Sequence, residues 1–317
     1  MMKKSLIYGP VTSRRLGLSL GIDTVPYKRC SFDCIYCQIG RTSKTTAERK
    51  DFGLAETIFA ELGRKIEEGL EADHITLGGS GEPTLNLEAG DIIRGIKKMT
   101  DIPVAVLTNG SLLWDEGVRN DLYAADIVLP SLDAADEETF LKINRPHPDI
   151  SFKRLLDGIL SFSKVFTGKI WLEIFFIEDF NTSDAQLEEF KKLVKMIHPD
   201  RVHLNTAVRP PAESFAAAVD RDALQAVAKK IGGRAEVIAE FTEKHRVPPA
   251  RDLLEQDLVD MLLRRPCTIQ DIATVLNINP SQAIKLLDPL IARRRVVVQT
   301  AGPQTYYSCT EETDYSR

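Results

Sequence analysis

Five cysteines, two tryptophans and 7% aromatic residues are all that 317 positions hold of those types. So few cysteines, in odd number, exclude the disulfide framework of a small secreted domain. No run of about 18 apolar residues occurs, so no membrane-spanning helix is expected. The two lysines of the opening MMKKSLIYGP precede no apolar stretch, and no secretory leader is expected either. Basic excess is missing too. Lys and Arg number 41 against 46 Asp and Glu, a formal charge of −5, the wrong sign for a protein that tracks phosphate backbones in bulk. There is no repeat of fixed period, no low-complexity tract and no dinucleotide fingerprint after the first apolar run. These absences leave a cytoplasmic globular protein without a membrane partner.

What is present is alternation. At 43% hydrophobic and 27% charged, the chain can bury a sizeable core. Apolar runs at 18–24, 74–79, 103–108, 126–132, 169–177 and 201–206 read as strands, with a weaker seventh at 235–241. Between them lie segments of 3.6-residue periodicity: 54–70, with Ile58, Leu62, Ile66 and Leu70 on one stripe, then 87–99, 152–166 and 183–197. Repeated strand–helix units predict parallel strands with helices outside. The expected fold class is α/β, a partial (β/α)6 TIM-like barrel over residues 1–246.

At Val247-Pro248-Pro249 the pattern changes to a stiff linker. Helices at 251–264, 268–276 and 280–293 and two short β runs at 296–300 and 305–309 come next. Asn279 before Pro280 fits an N-cap with proline at the first helical position, and Pro289 should kink or shorten that helix. Three helices and a hairpin over 250–310 resemble a winged helix-turn-helix domain.

The chemistry is concentrated in Cys30-Ser-Phe-Asp-Cys34-Ile-Tyr-Cys37. A structural zinc needs four ligands, and this loop offers three thiols with no fourth Cys or His nearby. A ferredoxin cluster takes four cysteines. Three thiolates on one loop suit a [4Fe–4S] cluster with one iron open to a ligand. Cys267 and Cys309 fall at a helix start and in a β run, where buried small hydrophobes are common.

CxxxCxxC with an aromatic before its last cysteine resembles the radical S-adenosylmethionine (SAM) superfamily. The resemblance implies an enzyme in which Cys30, Cys34 and Cys37 hold one [4Fe–4S] cluster and SAM binds the open iron. Reduction by an external one-electron donor of flavodoxin or ferredoxin type then gives methionine and a 5′-deoxyadenosyl radical that abstracts hydrogen from substrate. It further implies cofactor contacts at Tyr36, at Gly81-Glu82-Pro83 near the SAM amino group, at Thr108 and Asn109, and at Ser131 and Asp133. All stand at carboxyl ends of strands, where an α/β barrel builds its site. The runs GPVTSRRLGLSLGID (9–23) and LNTAVRPP (204–211) resemble a group related to 4-demethylwyosine synthase, a tRNA-modifying enzyme. That synthase carries extra cysteines upstream of its SAM motif; here none precedes Cys30.

Each of these residues also has a plainer reading. Glu82 could be a turn carboxylate, and Thr108, Asn109, Ser131 and Asp133 could cap the helix after each strand. Glu173 shares a strand face with Trp171 and Phe175, so it is either a SAM or substrate contact or half of a salt bridge within the barrel. Arg15, Asn205 and Arg209 are further substrate or cofactor candidates, and Arg14, Lys28, Arg29, Arg145 and His147 add positive charge near the expected barrel mouth.

Residues 249–317 hold eight basic and nine acidic side chains, and Lys285 is the one basic residue of the third helix before Arg293. This charge pattern argues against duplex DNA. The expected activity is hydrogen abstraction from an RNA base, ahead of a peptide or protein and then a small anion. The alternative is an iron–sulfur sensor that acts through the winged helix.

Overall fold

The computed structural model describes residues 5–239, 255–276, 278–302 and 304–309. The Val247–Pro249 linker lies outside these residues. The chain runs β1 (Ile7–Ser13), β2 (Gly17–Ile22), α1 (Ala55–Glu67), β3 (His74–Leu77), α2 (Ala89–Met99), β4 (Val104–Thr108), α3 (Glu116–Leu122), β5 (Ile127–Pro130), α4 (Glu137–Asn144), α5 (Phe152–Ser163), β6 (Lys169–Phe176), α6 (Asp184–Ile197), β7 (Arg201–Thr206), α7 (Arg221–Ile231) and β8 (Ala235–Val237). A smaller unit comes after it: α8 (Glu255–Leu262), α9 (Ile269–Leu276), α10 (Pro280–Ala292) and the hairpin β9 (Val296–Ala301) and β10 (Gln304–Cys309).

Strands β1 to β8 form one sheet in sequence order. From β2 to β8 every pairing is parallel, and β1 lies antiparallel on the β2 edge. Strict sequence order is what repeated βα units produce. The six-unit expectation therefore undercounts the sheet. The weak seventh run is β8, and β1 has no counterpart among the predicted strands. Residues 7–13 contain Gly9, Pro10, Thr12 and Ser13, which dilute the alternation that marks a strand.

The strands divide their side chains between two faces. Val104, Val106, Val128, Leu172 and Ile174 join the large core under the helices, while Ala105, Ile127, Leu129 and Trp171 form a separate inner cluster with Leu16. The period-2 alternation of a strand makes this division. Helix starts are capped locally: Ser183 accepts from the Gln186 amide at 3.3 Å, and Asp136 from the Thr139 amide at 2.7 Å. Asn279 and Gln282 make a reciprocal capping box. Pro289 sits inside α10 without ending it. It supplies no N–H of its own, and the helix closes at Ala292, within one turn of it.

The C-terminal unit has its own core, including Leu258, Leu262, Cys267, Ile272, Leu287 and Leu290, and packs on β1 through α8 and α9. Among the described residues, no helix is long and apolar enough to cross a membrane.

Candidate active site

The loop after β2 carries the three cysteines. Each sulfur faces one side-chain nitrogen donor: Asn109 Nδ2 lies 3.7 Å from Cys30 Sγ, Asn144 Nδ2 3.4 Å from Cys34 Sγ, and Lys28 Nζ 3.4 Å from Cys37 Sγ. Lys28 adopts a left-handed φ of 58° and also donates to Gly40 O. Burial pushes the Cys30 thiol up to about 12 and the Cys34 thiol well above its ordinary range. Left to themselves both stay protonated, so a metal must displace those protons. Among the described residues no three His, Cys, Asp or Glu side chains converge on a single-ion site. Three separated thiols, each supplied with an N–H donor and one of them, Cys37, facing the Lys28 ammonium, fit an iron–sulfur cluster better than one closed zinc site.

The next wall is the turn after β3. Gly78 and Gly79 have φ of +146° and +132°, which side chains rarely adopt. A Cβ on Gly79 would lie 2.7 Å from Tyr8 Oη and 2.8 Å from Asp23 Oδ1, and one on Gly81 2.1 Å from Arg29 O. This tightness brings backbone to the cavity edge. Ser80 Oγ is buried there without a hydrogen-bond partner.

Glu82 lies behind this wall. Its Oε1 accepts from Thr84 N at 3.0 Å, Thr84 Oγ1 at 2.6 Å and Thr108 Oγ1 at 2.7 Å, and its Oε2 from Asn109 N at 2.7 Å. Burial nevertheless raises its pKa, with these bonds opposing. Pro83 opens the short helical turn next to it. Thr108 and Asn109 thus tie the β3 and β4 turns together, and Asn109 goes on to reach Ser31 Oγ at 2.8 Å in the cysteine loop.

Asp133 is a second buried hub. It accepts from Tyr36 Oη and from Asn144 Nδ2 at 2.8 Å, and its Oδ1 accepts from Phe175 N at 3.0 Å. Burial raises its pKa to about 6 against these bonds. Tyr36 stacks on Phe175 with ring centroids 3.9 Å apart. Ser131 bridges to Glu173 in β6. Glu173 itself pairs with Arg15 and accepts from Asn205 Nδ2 at 2.9 Å. Burial raises its pKa, but Arg15 and Asn205 more than offset this and leave it below the usual value. The salt bridge of Glu173 to Arg15 is thus present, at a residue that also lines the cavity.

A cavity of about 380 Å³ runs along these groups. Cys30, Cys34, Cys37 and Tyr36 line it, as do Gly81, Ser131 and Asp133, and so do Arg15, Glu173, Asn205 and Arg209. Glu82, Pro83, Thr108 and Asn109 are not on its surface. Of the other predicted basic residues Arg14 and Lys28 reach it, whereas Arg145 pairs with Glu213 at 2.6 Å and His147 with Asp149 at 3.6 Å. Met261, Arg264 and Arg265 of the C-terminal unit also line it. Sequence reasoning missed these, because Arg264-Arg265-Pro266 reads locally as the end of a helix.

Residues 24–203 match the family described as Radical SAM superfamily. A UPF0026 protein of Helicobacter pylori is 30% identical over 316 residues, 97% of this chain and 99% of that protein. The GTPase Obg of Brachyspira hyodysenteriae is 37% identical over 298 residues, 93% of this chain but 44% of its own length. The chain therefore spans less than half of that relative. Among solved structures, SuiB of Streptococcus suis bound to S-adenosylmethionine shares the fold at a TM-score of 0.52 and 14% identity, over 72% of this chain and 51% of that one. The cysteine loop, the parallel sheet and the family match lead to one conclusion: the chain belongs to the radical SAM superfamily, enzymes that work with a [4Fe–4S] cluster and SAM.

Proposed function

We propose that Cys30, Cys34 and Cys37 hold the [4Fe–4S] cluster, that SAM lies along the adjoining cavity, and that the enzyme abstracts hydrogen from an RNA base. The observation that carries the cluster assignment is the set of three cysteine sulfurs, each facing its own nitrogen donor, on one cavity wall. When bound, the cluster supplies the electron that splits SAM into methionine and a 5′-deoxyadenosyl radical, the electron coming from an external one-electron donor.

The chain's own residues do the rest by position. Tyr36, Gly81, Ser131 and Asp133 form the cofactor wall. Glu82, Thr108 and Asn109 act one layer behind it as positioning residues, because Glu82 spends both oxygens on the two turns and Asn109 orients the Cys30 loop. The Arg15–Glu173 pair, Asn205 and Arg209 face the substrate side. The RNA reading rests on the resemblance to the wyosine-related group. The sequence has no GxxxxGK[S/T] loop, so GTPase activity is not carried over from the Brachyspira relative.

The division into a barrel at 1–246 and a winged helix at 250–310 is part of the same proposal, supported by the separate cores and by three helices ahead of a hairpin. The odd cysteine count and the clustering of Cys30, Cys34 and Cys37 support a reducing, cytoplasmic setting. The sensor reading lacks comparable support, because the C-terminal unit is tied to the barrel by buried polar contacts rather than hung from it.

The test is anaerobic incubation of the reconstituted protein with SAM and dithionite. Formation of 5′-deoxyadenosine is expected, and its absence removes the enzymatic reading. Nucleoside analysis of total tRNA after the same incubation is expected to show one altered base; an unchanged profile removes the RNA reading alone.

A further inference from the structure

The cavity beside the cysteine loop has a charge imbalance that the whole chain does not share. Arg14, Arg15, Lys28, Arg209, Arg264 and Arg265 line it against two carboxylates, Asp133 and Glu173, in a protein of formal charge −5. Most of these cations are matched. Arg15 has Glu173, Arg264 has Asp23, and Arg209 has Asp271 at 3.6 Å. Lys28 donates to Gly40 O and faces Cys37 Sγ.

Arg14 and Arg265 differ. The Arg14 hydrogen bonds go to neutral oxygens, Asn205 Oδ1 at 3.2 Å and Ala239 O at 2.9 Å. Arg265 Nη2 is buried with no hydrogen-bond partner. Among the described residues, neither guanidinium has a carboxylate in ion-pair contact. Thr12 Oγ1, on the same cavity wall, is likewise buried without a hydrogen-bond partner.

Burial, together with Arg209, Arg15 and Arg265, pushes the Arg14 guanidinium down to about 9. A guanidinium does not give up its proton inside a protein. The crowding is instead an attraction for an anion, since buried charge without a counter-charge is costly. SAM brings one carboxylate, which does not balance both Arg14 and Arg265. Planar N–H forks suit the several oxygens and higher charge of a phosphoryl group.

We propose that Arg14, Arg209 and Arg265 form a phosphoryl-binding site for the substrate, assembled only where the C-terminal unit packs on the barrel. Arg14 comes from the turn between β1 and β2, Arg209 from the segment after β7, and Arg265 from just beyond α8, so neither unit holds the site alone. The inference deepens the function proposed above and rests on it: the phosphoryl group belongs to the nucleotide whose base is presented to the radical.

The test uses the reconstituted full chain and inorganic pyrophosphate as probe, followed by titration calorimetry. The wild type is expected to bind pyrophosphate. Arg265→Gln is expected to weaken that binding by roughly ten- to a hundredfold, the loss of a charge-assisted fork, and Arg265→Lys by less. SAM affinity, measured on the same samples, is expected to stay the same. No binding by wild type overturns the proposal. So does a parallel fall in SAM affinity, which would give these arginines to the SAM carboxylate. A thermal melt of each variant shows whether it is folded, and the lysine variant keeps the test decisive if the glutamine variant is not.

Competition then separates the sources of the phosphoryl group. Displacement of pyrophosphate by total tRNA assigns it to an RNA backbone, and displacement by mononucleotides to a free nucleotide. Displacement by neither overturns the substrate role. The 5′-deoxyadenosine assay stands apart from all of these, so failure of the arginine site and failure of the radical SAM chemistry are told apart.

Discussion

Arg264 and Asp23, 241 residues apart in sequence, form a buried ion pair. Arg264 Nε lies 3.0 Å and Nη2 2.9 Å from Asp23 Oδ2, and both side chains are 3% exposed. The guanidinium also donates to Ser5 O at 2.9 Å and lies 4.1 Å over the Tyr8 ring. Asp23 Oδ1 in turn accepts from Ser80 N at 3.1 Å. A single pair thus joins the C-terminal unit to β1 and to the glycine turn at the cavity.

Removing Arg264 leaves the Asp23 carboxylate buried without its counter-charge. Arg264→Met is expected to lower stability by about 3–5 kcal/mol, read by urea unfolding. The double variant Asp23→Asn/Arg264→Met is expected to lose less than the sum of the single changes. Strict additivity would show that the two side chains do not act as a pair.

Substituting any one of Cys30, Cys34 or Cys37 by Ala is expected to abolish the brown iron–sulfur chromophore and SAM cleavage together. Cys267→Ala and Cys309→Ala are expected to retain both, since neither residue lines the cavity that holds the cysteine loop. Iron analysis after anaerobic reconstitution checks this. A chromophore that survives the loss of one of the three would disprove the ligand assignment.

Glu82→Gln puts an N–H₂ group where a carboxylate oxygen accepts hydrogen bonds from the two turns. The expected cost is about 1–3 kcal/mol of stability, seen as a lower midpoint in thermal or urea melts. A Glu82 that only touched ligand would give an apo protein as stable as wild type.

His203 is buried against Trp171, with ring centroids 5.4 Å apart, and its Nε2 lies 3.0 Å from Glu236 Oε1. Burial and then Arg15 push its pKa below the ordinary 6.5, although Glu173 and Glu236 pull the other way. The unfolded chain therefore binds the proton more readily. Stability from this group is present above pH 6.5 and is lost as pH falls through the lower folded value. The unfolding free energy of wild type is expected to rise with pH over that window, and His203→Gln to show a shallower slope. Equal slopes would remove His203 as the source.

Much of the architecture is legible in the chain because its causes are local. Helix α6 starts at Asp184 after the Ser183 cap and ends at Ile197, as the periodicity of 183–197 predicts. Strand β1 escapes because a strand on a sheet edge with Gly9 and Pro10 carries little alternation. Glu173 illustrates a limit of another kind: its strand face is readable, but the choice between ligand and salt bridge depends on Arg15, 158 residues away. Glu82 is recognisable as a motif residue, yet its oxygens are engaged by Thr84, Thr108 and Asn109, and strand order alone brings the last two there.

By itself, the sequence determined the cysteine spacing, the glycine turn after β3 and the succession of βα units, since spacing, backbone freedom and hydrophobic period are properties of short segments. Only the tertiary structure decided which charges meet. Arg14, Arg209 and Arg265 are surface-like residues in their own segments, and they become one crowded cavity wall because two separate cores pack together and exclude the water that would have solvated each of them.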